Sequence, residues 1–155
     1  MPLTLLLRST LLAALCGLGA VHAQTLPATV PATQTADDSL YQAFGARPGL
    51  VRLMDRFMVR LLDDPRMQPF FKDVDQNHVK AQLVAQLCEL SGGPCRLNGP
   101  DMKKAHSGMD ITKSDFNALV EVLQLSMDDQ NIPFSVQNRM LARLAPMHRE
   151  IVNTP

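Results

Sequence analysis

Beyond the apolar start of the chain stand three histidines, His78, His106 and His148, and two cysteines, Cys88 and Cys95. Imidazole and thiolate are the side chains best suited to ligating transition metals or acting as base and nucleophile. No serine or cysteine stands in a sequence pattern with histidine and a carboxylate that marks an acyl-transfer triad, so hydrolase chemistry has no foothold. The cysteines are seven residues apart around Ser91-Gly92-Gly93-Pro94, and no further cysteine or histidine at zinc spacing completes a four-ligand site. In an oxidising compartment such a pair is expected to form a local disulfide. His106 is different, because it lies on a short segment between Gly99 and Gly108, in a chain that also carries a Phe70-Phe71 pair and long apolar helices. That combination suits a buried flat ligand held through one imidazole. Methionines at Met54, Met58, Met102 and Met109 invite a soft-metal reading such as a Cu(I) carrier. They are spread at core spacing without dense motifs, which is the distribution of flexible filler around a cofactor.

The elements that must position these residues follow from composition and periodicity. The chain has 155 residues, 46% hydrophobic, 19% charged and 5% aromatic, the profile of one soluble domain rather than a disordered or low-complexity protein. Lys plus Arg equals Asp plus Glu at 15 each, so the positive surplus that nucleic acid or an anionic membrane surface would demand is missing. Residues 1–23 read as a secretory signal peptide: Leu3 to Leu7, Arg8, an apolar run from Leu11 to Val21, and the small-residue ending Val21-His22-Ala23. The run is too short for a comfortable span, and no stable membrane insertion is expected. Cys16 follows Leu15 rather than the small residue of a lipid-modification site, so cleavage near Ala23 and a periplasmic or secreted protein are the expectation. Residues 24–38, with Pro27, Pro31 and many Thr and Ala, read as a flexible linker, and the folded domain is placed at 39–152.

Within that domain no segment alternates with period two, and the fold class is all-α. Ser39 with Gln42 has the pattern of a capping box for a short first helix ended by Gly45, and Pro48 suits the start of a second. Leu50, Leu53, Met54, Phe57, Met58 and Leu61 then recur at three- and four-residue steps as an apolar stripe stopping at Asp63-Asp64-Pro65. After a compact turn with Pro69-Phe70-Phe71, the residues Val79, Leu83, Val84, Leu87 and Leu90 mark a third helix, ended by Gly92-Gly93-Pro94. Asp101 to Ser107 has room for about two turns, a helix too short to stand alone. Thr112 with Asp115 opens a helix through Phe116, Leu119, Val120, Leu123 and Met127, and Ser135 opens a last one running through Met140 and Leu144 to Ile151.

From Ser39 to about Val152 the chain resembles a truncated, two-over-two haemoglobin of group I. The resemblance is carried by Ser39-Leu40-Tyr41, Phe57-x-Val59-Arg60-x-Leu62, Pro69-Phe70-Phe71, Gly92-Gly93-Pro94, Gly99-x-x-Met102-Lys103-x-x-His106, Ile111-Thr112-x-x-x-Phe116 and Leu144-Ala145-Pro146. It implies a two-over-two helical sandwich around haem b, with the iron held by His106 as proximal ligand. It also implies that Phe71 stacks on the porphyrin, that Phe57, Met102, Met109, Ile111, Phe116 and Leu119 wall the pocket, and that Lys103 reaches a propionate. The partners it implies are diatomic gases (oxygen, CO, NO) and a reductase whose identity the sequence does not reveal.

The departures from the family pattern bear on mechanism. Relatives that retain oxygen strongly place a tyrosine and one or two glutamines where this chain has Met58, Val79 and Leu83. Without those donors, a hydrogen bond of about 1.5–3 kcal/mol to bound oxygen is lost, which weakens retention by roughly one to two powers of ten. Nitric oxide dioxygenation and peroxidase-like turnover therefore rank as side activities. The alternative is a six-coordinate haem protein for electron transfer or redox sensing, with Met58 or His78 as second axial ligand and Gln82 as a donor able to swing in. His148 lies one position from where some relatives attach haem covalently.

Overall fold

The computed structural model describes residues 37–154, and the expected signal peptide and most of the expected linker lie outside them. Among the described residues every regular element is helical: α1 (Ser39–Ala43), α2 (Ala46–Asp63), α3 (Gln68–Phe71), α4 (Gln76–Leu90), α5 (Met102–Ala105), α6 (Lys113–Asp129), α7 (Phe134–Leu144), a 3-10 turn (Ala145–Met147) and α8 (His148–Ile151). No helix among them is long and apolar enough to cross a membrane.

The apolar stripe of α2 is buried along its whole length, from Leu50 through Leu53, Met54, Phe57 and Met58 to Leu61. It forms the spine of the core because α2 packs on both α4 and α6, while α4 also packs on α7. The stripes read from α4 and α6 each divide in two. Val84, Leu87 and Cys88 of α4 and Ala118, Val122, Leu123 and Met127 of α6 are buried in the core. Val79, Leu83, Phe116 and Leu119, one turn round, stay half-buried because they face a cavity instead of a neighbouring helix. The buried polar side chains are paired, Ser91 with the carbonyls of Leu87 and Cys88, Ser126 with that of Val122, and Gln137 with Asp128 and the Ile132 carbonyl.

Three boundaries differ from the sequence expectation, each for a local reason. Helix α1 is flanked by Asp38 rather than capped by Ser39: Asp37 accepts the Ser39 N–H and Asp38 accepts the Gln42 amide, so these two residues of the expected linker belong to the helix entry. The last helix ends at Leu144, because Pro146 has no N–H to give and its ring crowds the carbonyl four residues back. The chain continues through the 3-10 turn with helical dihedrals into α8, which packs on α5. Pro133, not Ser135, precedes the start of α7. By contrast, Thr112 and Asp115 form the reciprocal capping box at α6 that their spacing predicts.

Cys88 and Cys95 form a disulfide, with Cα atoms 5.7 Å apart. A Cβ on Gly93 would sit 2.7 Å from both the Cys88 sulfur and the Tyr41 ring, so only glycine lets the loop pass here. The bridge ties the end of α4 to the loop that leads to α5. Closing so short a loop in the unfolded chain contributes about 2–3 kcal/mol. Cys88→Ala combined with Cys95→Ala is therefore expected to lower the urea midpoint by the equivalent of about 2 kcal/mol. Mass spectrometry of the unreduced wild type should find no alkylatable thiol at either position; finding both free would refute the bridge.

Candidate functional site

A cavity of about 320 Å³ opens between α2, α4, α5 and α6, within the range of small-ligand and cofactor pockets. Phe57 of α2 and Val79 and Leu83 of α4 form part of its wall, with Phe71 at the end of α3. His106, Met109, Ile111, Phe116 and Leu119 complete the set of sequence-predicted residues that the fold brings together here. Met67, Val74 and Ala105, which the sequence did not single out, also line it, together with Phe70 and Ile151, which it named without assigning them to the wall. Phe70 had a local signal, its adjacency to Phe71. Ile151 was legible as part of the last apolar stripe but not as a wall residue, because the packing of α8 on α5 is what brings it here.

Three predicted site residues lie off the lining. Met58 follows Phe57 by one position, about 100° round the helix, and is buried without being on the cavity wall. Met102 is not on the wall, and its sulfur accepts from the Gln86 amide at 3.5 Å. Lys103 is exposed on the outer side of α5. Of the alternative axial ligands, His78 is exposed near the start of α4, and neither it nor Gln82 nor Met58 is on the cavity wall. His148 meets Phe116 edge to face, with ring centroids 4.8 Å apart, and so backs the wall from outside.

The local sequence explains how His106 is presented. Asp101 caps α5 by accepting the Lys104 N–H at 2.7 Å, and the helix lasts four residues, shorter than expected, leaving His106 at its C-terminal end. There the ring Nδ1 is 2.8 Å from the Met102 carbonyl oxygen. A carbonyl can only accept, so Nδ1 carries the proton and Nε2 of the neutral ring keeps its lone pair. An imidazole fixed in this way is oriented as a metal ligand through Nε2.

Asp115 is the other polar residue of the lining. Its Oδ2 accepts from the Thr112 hydroxyl at 2.6 Å and the Thr112 N–H at 2.9 Å. These hydrogen bonds, the hydroxyl's foremost, hold its carboxyl below the usual carboxylate range and keep the ionised group on its own cap. Phenyl, aliphatic and thioether surface with one imidazole donor fits a flat, largely apolar macrocycle carrying an iron, and fits no hydrated cation. Among the described residues no cluster of three or more His, Cys, Asp or Glu could hold a bare metal ion.

Comparison with known proteins agrees with this geometry. The model of the bacterial-like globin family matches residues 39–153. The chain is 28% identical to the group 1 truncated hemoglobin GlbN of Mycolicibacterium paratuberculosis, over 73% of this chain and 83% of that protein. It is 29% identical to the group 1 truncated hemoglobin of Tetrahymena pyriformis, over 64% of this chain and 83% of the relative. The crystal structure of the Tetrahymena pyriformis truncated hemoglobin in its Fe(III) form superposes with a TM-score of 0.71 at 25% identity, covering 74% of this chain and 98% of that one. With the all-helical two-over-two architecture and the apolar, imidazole-bearing cavity, these matches establish that the chain belongs to the bacterial-like globins, a family of haem proteins, among relatives that are group 1 truncated haemoglobins.

Proposed function

We propose that this globin is an exported haem protein that binds oxygen, CO or NO on an apolar distal face, with His106 as the axial ligand of the iron. The observation that carries the reading is the Nδ1 to Met102 carbonyl hydrogen bond, which leaves the Nε2 lone pair of His106 available at an apolar cavity. When bound, haem would supply an iron able to take a diatomic gas, with His106 as the residue that would hold it. The chain's own residues do the rest. Phe57, Phe71 and Phe116 offer aromatic surface to a flat ring. Val79 and Leu83 exclude water and offer a ligand no hydrogen bond. The absence of Met58 and His78 from the cavity wall favours an open position over a second protein ligand. Export rests on the signal-like residues 1–23, and a disulfide between Cys88 and Cys95 is consistent with it.

The test is CO binding to the dithionite-reduced protein, reconstituted with haem and followed at the Soret band. The expected result is a single association phase whose rate rises linearly with CO and is the same in Met58→Leu and His78→Ala. A slow phase that saturates with CO and is accelerated by either variant would establish the six-coordinate alternative.

A further inference from the structure

A helix of four residues leaves nearly all its terminal N–H and C=O groups without intrahelical partners and cannot hold its own conformation. Helix α5 carries His106 nevertheless, and it is pinned from two distant parts of the chain. On one side, Gln86 of α4 directs its amide Nε2 to two thioethers, Met102 at 3.5 Å and Met147 at 3.2 Å. An amide NH2 has two protons, so one faces each sulfur and neither is free for the cavity. On the other side, the Asn153 amide donates to the His106 carbonyl at 3.0 Å. The backbone N–H groups of Asn153 and Thr154 both reach the Ile111 carbonyl, at 3.1 and 3.2 Å. The C-terminal residues thus strap the stretch from His106 to Ile111, while Gln86 anchors the first residue of α5. Met102 links the two effects, because its carbonyl holds the imidazole Nδ1 and its side chain is what Gln86 holds.

We propose that Gln86 and Asn153 are positioning residues for His106, Gln86 acting through Met102 and Asn153 through the His106 carbonyl, so that the imidazole is aimed into the cavity before a cofactor arrives. The proposal rests on His106 being the axial ligand. Neither residue lines the cavity or touches the imidazole. Their contribution is to remove the freedom that a four-residue helix would otherwise lose only on binding.

The test uses the full chain with Gln86→Leu, Met102→Leu, the double variant and Asn153→Ala. Three readouts are taken: haem transfer to an excess of apomyoglobin, the iron–histidine stretching band of the ferrous protein by resonance Raman, and the His106 ring nitrogens of the cofactor-free protein by 15N NMR. Gln86→Leu and Asn153→Ala are each expected to speed haem loss about three- to tenfold, the effect of one hydrogen bond. Both should shift or broaden the iron–histidine band, and the cofactor-free variants should show mixed His106 tautomers where the wild type shows Nδ1–H. Gln86→Leu and Met102→Leu should be non-additive, the double variant matching the worse single one. Faster haem loss with an unmoved band would mean general loosening and would overturn the proposal, as would additivity of the Gln86 and Met102 effects. Haem retention and a Soret band left unchanged by His106→Ala would instead overturn the assignment of His106 itself.

Discussion

Replacing His106 with alanine will remove the Soret band of the haem-reconstituted protein and most of the thermal stabilisation that haem confers. A ligand that binds only the folded state stabilises it by about 4 kcal/mol at a thousandfold excess over its dissociation constant. For a domain of this size each kcal/mol moves the melting temperature by about 3–5 °C, so haem should raise that of the wild type by roughly 12–20 °C. The variant should show little of this rise, because apolar contact alone neither fixes the iron nor orients the ring. The cofactor-free proteins should melt within about 2 °C of one another, since His106 is only half-buried and lies at a helix end. That control separates loss of a ligand from loss of a fold. His106→Gly with added free imidazole should recover the Soret band. An alanine variant that kept both the band and the full thermal shift would exclude His106 as the axial ligand.

The second large effect is expected at Leu83, where a donor can be added to the apolar wall. Leu83 lines the cavity from α4, near Val79, and no hydrogen-bonding side chain of α4 is on the wall with them. Bound oxygen carries partial negative charge and gains from a donor, whereas bound CO carries little. Leu83→Gln should slow oxygen dissociation by roughly 10- to 100-fold, corresponding to a charge-assisted hydrogen bond of about 1.5–3 kcal/mol. CO dissociation should change by less than about threefold, because the electrostatic gain is small. Leu83→Met, which adds no donor and nearly conserves volume, controls for packing. Stopped-flow dissociation of both gases from the three proteins checks this. Equal slowing of both gases would point to steric trapping, and an unchanged oxygen rate would place Leu83 away from the bound ligand.

The site was legible in the sequence wherever a residue's role depends on its own helix. The three- and four-residue steps of Leu50 to Leu61 specify a buried face whatever lies against it, and α2 buries that face. Thr112 and Asp115 sit at the interval a capping box needs, and the box forms. Periodicity cannot tell which part of an apolar stripe meets protein and which meets a cavity. Phe116 and Leu119 belong to the same stripe as Leu123 and Met127, yet the first pair lines the cavity and the second is buried in the core. For the same reason Met58 sits beside the site without lining it: a rotation of about 100° per residue separates neighbours on a helix.

By itself, then, the sequence determined the all-helical class, the α2 spine, the capping box of α6 and the candidacy of His106, since each follows from local spacing and residue chemistry. Only the tertiary structure decided that α8 packs on α5, bringing Ile151 to the cavity and Asn153 to the His106 carbonyl. It also decided that Gln86 lies between the sulfurs of Met102 and Met147. Those contacts join residues far apart in the chain, and their partners are chosen by how whole helices pack, which no local pattern encodes.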